Sequence, residues 1–397
     1  MWLEAPRVLM QKRLPTATAR DRGRVPDLAG AEAGFALLAL LFLLFLAGVA
    51  VYLGNVSATS IQLQRSQVTL KALAQAKEAL IGYAASHPTL PGALPCPDTD
   101  NDGFANTTGN NCSAYIGRLP WQQLGLPDLR DGYGECLWYA VSPDFRDALP
   151  ASIRTPTNYP LNSSTAGQLT LNDASGNPLS IPPNPVVALI FSPGPPLAGQ
   201  DRTSAGSSIC GGNNSAAAYL DTAMSINNAT GNAPSRSFIA ANKSATFDDT
   251  IAYIAASDLF PVVNSRVAAE LRGLDDPPIT GLRGFYDLNH YYPWAASSGS
   301  SGSPVVGLTS GKMPYAVTPS LPFTSATQTW LTNNDWFSVT TYKVAPDFEP
   351  GTSYAQQCLS SCLVVKGYAK AQAEVIVGST PAAVCTKNAL VSACPYP

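Results

Sequence analysis

The chain has 397 residues, of which 45% are hydrophobic and only 13% charged, with 31 Gly and 34 Pro. That is enough length and apolar material for two domains of ordinary size, rich in turns and short strands. A net charge of -3 excludes the basic footprint of a nucleic-acid-binding protein.

The N-terminal segment, residues 1–34, carries six basic and four acidic groups, whereas the rest of the chain is net acidic. Directly after it, Phe35 to Leu53 holds no charge. A run of that length predicts a membrane-spanning helix. The positive-inside rule would keep 1–34 cytoplasmic and export everything that follows. A cleavable secretory signal would have a shorter apolar core with a small residue after it; here Gly34 precedes the core. The helical pattern continues through 56–86, where Ile61, Val68, Leu73, Ala76, Leu80 and Tyr83 recur at helical spacing. Gln64, Lys71, Gln75 and Lys77 fill the other face. Pro88 disfavours helix at His87 and sets the stop.

A basic leader, a Gly34-Phe35 junction and one long helix, apolar first and amphipathic later, resemble the type IV pilin and type II secretion pseudopilin superfamily. The resemblance implies cleavage after Gly34 by a prepilin peptidase and N-methylation of Phe35. It covers about residues 24–86. The leader is long for the family, with Met10 an alternative start. The fifth residue after the junction is Ala39, where the family usually has Glu. A carboxylate there is costly in lipid, and the resemblance implies that shaft subunits keep it to pair with a neighbour's terminal amine. Its lack resembles the minor pilins and pseudopilins that cap a filament.

Past Pro88, "CPDTDNDGFANTTGNNC" (96–112) alternates Asp98, Asp100 and Asp102 before Gly103. Carboxylates in that pattern can converge on one hard cation, so the loop is a candidate Ca²⁺ site. Position twelve of an EF-hand loop, normally Glu, is Gly109, so Asn106, a carbonyl or a distant carboxylate would have to complete the set. A solvated acidic turn is the alternative. All eight cysteines follow the apolar block: Cys96, Cys112, Cys136, Cys210, Cys358, Cys362, Cys385 and Cys394. An even number on the exported side reads as disulfides. Local pairs are expected, Cys96 with Cys112, Cys358 with Cys362 and Cys385 with Cys394, although spacing does not fix connectivity.

The text then repeats. "GRLPW" (117–121) and "YAVSPDF" (139–145) return as "GKMPY" (311–315) and "YKVAPDF" (342–348). Each pair follows a predicted helix, 70–86 in the first copy and 257–274 in the second. The second helix carries Leu259, Val263, Val267 and Leu271 on one stripe. Each pair also precedes apolar strands, at 168–171 and 186–192, then at 362–366 and 373–379. The expected fold is therefore α+β. A long membrane-spanning helix packs on a small antiparallel sheet in pilin-like fashion, and a second α+β module follows. The expected domains are a leader (1–34), the helix (35–86), a first module (87–250) and a second (251–397). Asn, Ser, Gly and Pro dominate 150–184, 193–236 and 295–303, which read as loops.

No G-x-S-x-G, P-loop, H-E-x-x-H or dinucleotide fingerprint is present. His87 and His290 read as turn residues, so no enzyme is expected. "YYPW" (291–294) and "NDWF" (334–337) either fill the core or stack on a sugar or protein. The resulting expectation is a structural minor pilin or pseudopilin at the tip of a type IV pilus or type II secretion pseudopilus. Its partners would be sibling subunits, the prepilin peptidase and the bacterial inner membrane, and not nucleic acid. The globular part would be periplasmic, then at the filament tip. The alternative is a membrane-anchored surface adhesin that binds glycan or protein through its Asn/Ser-rich loops. An exported enzyme on a membrane anchor is the third class.

Overall fold

The structure, a computed structural model, describes residues 31–179, 185–204, 209–233, 235–273, 278–289, 291–299, 301–344, 372–378 and 382–387. Two compact units make up the chain, Met1–Gln62 and Leu63–Pro397. In chain order the first elements are α1 (Ala31–Ser86), β1 (Thr107–Thr108), β2 (Asn111–Cys112), β3 (Ile116–Arg118), β4 (Trp138–Val141), β5 (Thr170–Asn172) and β6 (Val186–Ser192). Then come β7 (Thr222–Ala223), β8 (Ile226–Asn227), β9 (Ser237–Ile239), β10 (Thr250–Ala255), α2 (Ala256–Arg272) and α3 (Gly281–Asn289). The last are β11 (Ser310–Lys312), α4 (Ser325–Asn333), β12 (Thr340–Val344), β13 (Gln372–Val377) and β14 (Ala382–Lys387).

The first unit holds the start of α1, where the large apolar side chains from Leu37 to Leu46 are 45–69% exposed. Among the described residues no helix is long and apolar enough to cross a membrane. This overturns the membrane-spanning helix expected within 35–86. A hydrocarbon core about 30 Å thick needs about 20 residues at 1.5 Å rise.

In the second unit the remainder of α1 is amphipathic and buries one stripe: Ala72, Leu73, Ala76, Leu80 and Ala84. Ile61 and Val68, expected on the inward stripe, are exposed instead. The stripe packs with Tyr139, Val141, Ala188 and Ile190 of an antiparallel sheet ordered β10-β6-β4-β3. The opposite face of that sheet holds Trp138, Ala140, Leu189 and Phe191. It is covered by Leu171, Tyr219 and Phe238 from the segments between β4 and β10. Burial on both faces explains why "VVALIFS" is apolar without alternation. β5 pairs with β9 in a small parallel ribbon rather than joining the main sheet.

The second sheet, ordered β11-β12-β13-β14, is again antiparallel throughout. α2 starts where the Asp258 carboxylate accepts the Ala255 N–H at 3.0 Å, and it ends at Gly273 with φ 99°. Its stripe of Leu259, Val263, Val267 and Leu271 is fully buried and shares one core with Tyr342, Val375 and Val377. Lys77 of α1 reaches Asp258 of α2 at 2.9 Å. The α+β character is thus built from several small sheets.

The described part of the repeated text occupies the same places in the two large sheets, and 345–348 of the second copy lie outside the described residues. Gly117 pairs with Tyr139 and Gly311 with Tyr342. Outside each glycine strand the chain adds one antiparallel bridge, Asp98 to Arg118 and Ala296 to Lys312.

Candidate functional site

The proposed processing junction, Gly34-Phe35, lies inside the backbone of α1, three residues past its start at Ala31. Of the eight cysteines, Cys96 pairs with Cys112 as expected, and Cys136 pairs with Cys210 across 74 residues. Cys358, Cys362 and Cys394 lie outside the described residues, as do the expected strand 362–366 and His290. Cys385 falls in β14, where the structure describes its backbone only.

The acidic loop brings its three carboxylates together, with one oxygen of each of Asp98, Asp100 and Asp102 within 4.8 Å of the others. Their surroundings differ. Asp98 is held against β3 by a reciprocal backbone pair with Arg118, at 3.0 and 2.7 Å, and is buried. Its Oδ1 accepts the N–H groups of Asp100 (3.1 Å) and Asn101 (2.6 Å), and its Oδ2 accepts that of Gly103 (2.7 Å). Burial pushes its carboxyl up to about 6, against the lowering effect of the Gly103 and Asn101 amides and with repulsion from Asp102 and Asp100 adding to the rise. Asp100 and Asp102 are exposed. Asp102 caps the Phe104 N–H at 2.8 Å, and Asp100 accepts Asn106 Nδ2 at 3.1 Å. Asn106 turns its oxygen to the Thr99 N–H at 2.6 Å, away from the role of a further ligand. Asp98 therefore closes the loop through backbone donors, as an Asx turn does.

A second acidic group was not visible in the sequence. Asp221, Asp248 and Asp249 are all buried, and one carboxylate oxygen from each lies within 4.8 Å of the others. Asp221 sits at the end of the turn that leads into β7, and the Asp248-Asp249 pair leads into β10. Burial, then repulsion from Asp221, pushes Asp248 up to about 7 and Asp249 up to about 8. The only sequence signal was the acid pair in front of an apolar strand, with its third member 27 residues upstream in a loop.

The aromatic clusters are core. Tyr292, Trp294, Trp336 and Phe337 are all buried, and Phe337 stacks on Tyr315 at 4.3 Å between centroids. They are not free to stack on a sugar. A cleft of about 590 Å³ opens beside Ser163, Gly167, Gln168, Thr170, Pro185 and Ala256, and among the described residues none that lines it is acidic or basic.

Compared with protein-family models, curated proteins and solved structures, the chain matches none.

Proposed function

We propose that this chain is an exported structural subunit of a pilin-like filament, a large minor pilin or pseudopilin seated at the tip. The observation that carries the reading is the exposed apolar length of α1. Leu37, Leu38, Leu41, Phe42, Leu44 and Phe45 are each more than half exposed, and they point to several sides of one helix. A single chain leaves that surface in water, at about 25 cal/mol per Å². Equivalent helices of neighbouring subunits, packed side by side, would cover it. The disulfides Cys96–Cys112 and Cys136–Cys210 support an oxidising compartment. Ala39 in place of a carboxylate supports the tip rather than the shaft. The partners are sibling subunits and a prepilin peptidase acting at the inner membrane. In this reading Ca²⁺ in the loop 96–112 would meet Asp100 and Asp102 from the solvent side.

Intact mass of the chain isolated from its native cells tests this reading. Cleavage between Gly34 and Phe35 with one added methyl group is expected, and immunogold should mark filament ends at low copy number. If Gly34→Arg changes neither mass nor assembly, the reading fails. Labelling along the whole filament would remove the tip assignment alone.

A further inference from the structure

We propose that Asp221, Asp248 and Asp249 form a buried site for a calcium ion, which ties the insertion 193–249 to the edge strand β10 of the first sheet. This inference is independent of the filament reading. The three residues are only 5%, 5% and 4% exposed. Part of their hydrogen-bonding capacity is spent. Asp221 Oδ1 accepts Gln200 Nε2 at 2.8 Å, and its Oδ2 accepts the N–H groups of Asp248 (2.7 Å) and Asp249 (3.3 Å). Asp249 Oδ2 accepts the Asp221 N–H at 2.9 Å and Asn228 Nδ2 at 2.8 Å. These bonds fix the carboxylates in place and leave the others free. Both oxygens of Asp248 and Oδ1 of Asp249 are shielded from water and accept no hydrogen bond.

Three such oxygens on two adjacent buried carboxylates form an unmet demand for positive charge. The nearby cations Arg202 and Lys243 favour the charged form of Asp248 only from a distance. Arg202 pairs with Glu135 at 3.0 Å and gives its other donors to the carbonyls of Ala218 and Gly194 and to Gln200. Lys243 lies over the Tyr133 ring. Among the described residues neither makes an ion pair with the triad. The chemistry of the cluster selects the ion. It holds carboxylate oxygens and neither imidazole nor thiolate, which suits a hard cation. One oxygen from each carboxylate lies within 4.8 Å of the other two, close enough for all three to meet one Ca²⁺ at about 2.3–2.6 Å, and Ca²⁺ accepts water or carbonyls for the remaining positions. Gly194 borders the site. A Cβ there would lie 2.5 Å from Asp248 Oδ2, so the backbone reaches the carboxylate only because the residue has no side chain.

The rival occupant is the proton, shared among the three acids. The full chain, stripped with chelator, is titrated with CaCl₂ near neutral pH by calorimetry and followed by hydrogen exchange. Binding should slow exchange at the amides of Asp221, Asp248 and Asp249 by about tenfold or more, and shift the melting transition upward by several degrees. No heat and no protection in the wild-type chain would leave the proton as occupant and overturn the site. Protection confined to 98–112 would do the same. Equal protection by Mg²⁺ at the same concentration would overturn the choice of calcium. Asp248→Asn with Asp249→Asn, folded by circular dichroism, should lose the calcium-dependent protection at residues 221, 248 and 249 that the wild-type chain shows. If this variant does not fold, the exchange map of the wild-type chain decides alone.

Discussion

Tyr139 and Tyr342 stand in equivalent positions of two sheets, each directly opposite a glycine, Gly117 in one and Gly311 in the other. Both tyrosines are fully buried. Both glycines lie so close to the next stretch of backbone that a methyl group would strike a carbonyl, that of Asp98 or that of Ala296. Gly117→Ala and Gly311→Ala should each cost roughly 1–3 kcal/mol in urea unfolding, as overpacking does. Gly82→Ala is the control. Its site on α1 is exposed, with nothing within 4 Å of a new Cβ, and it should gain about 0.5–1 kcal/mol. Equal effects at all three positions would show that the close approaches do not matter.

The two disulfides should differ in worth. Cys136–Cys210 closes 74 residues and Cys96–Cys112 closes 16. Loop-closure entropy then favours the long bridge by about 1.4 kcal/mol. Paired Cys→Ala variants of each, compared by thermal unfolding, should show the larger loss for the long bridge. An equal or reversed order would mean that the open chain is already constrained between Cys136 and Cys210.

His87 should make the end of α1 sensitive to acid. Its Nδ1 accepts the Leu90 N–H at 3.0 Å, which only the neutral ring can do. Burial pushes its pKa below the ordinary 6.5, opposed by Asp147 and assisted by Arg154. Below that ordinary value the unfolded chain binds the proton more readily than the folded one. The contribution is therefore whole at neutral pH and fades as pH falls through the unfolded value toward the folded one. His87→Asn keeps an acceptor that does not titrate. Between about pH 7.5 and 5.5 the wild-type chain should lose more stability than this variant, and parallel slopes would rule His87 out as the cause.

Asn334 should act as a buried tie between the two halves of the second unit. Its Oδ1 accepts the Leu161 N–H at 3.0 Å, its Nδ2 donates to the Trp330 carbonyl at 3.0 Å, and its own carbonyl accepts Asn162 Nδ2 at 2.7 Å. Asn334→Ala strands the Leu161 donor in a site that water does not reach, at about 1–3 kcal/mol. Asn162→Ala removes a neighbouring bond, so the double variant should cost less than the sum. Strict additivity would deny the network.

Much of the fold was legible where local chemistry and tertiary packing agree. The stripe of Leu259, Val263, Val267 and Leu271 predicted α2, and it lies buried as read. The doubled "GRLPW" and "GKMPY" text marked two strands with one shared register. Other features depend on partners far along the chain. The strand expected at 168–171 became β5, shifted and paired with β9, because the neighbour that completes it comes more than sixty residues later. β10 and the Cys136–Cys210 bridge were missed for the same reason. The three aspartates that gather at 221, 248 and 249 carry no motif, since loops and not one helix or turn bring them together. The uncharged run from Phe35 to Leu53 read as a bilayer span from its length, whereas among the described residues no helix is long and apolar enough to cross a membrane.

One core runs from Leu80 in α1 through Ile254 and Leu259 to Val375 in β13. The polar contacts Lys77–Asp258 and Asn162–Asn334 cross between the halves and add to that packing. The doubled architecture is therefore not a doubled folding unit. A protease nick in the loop at 295–303 would leave the fragments clasped together, and heat should melt residues 63–377 in a single cooperative step. A body that fails only as a whole has no soft joint at which a sideways load could peel one half from the other.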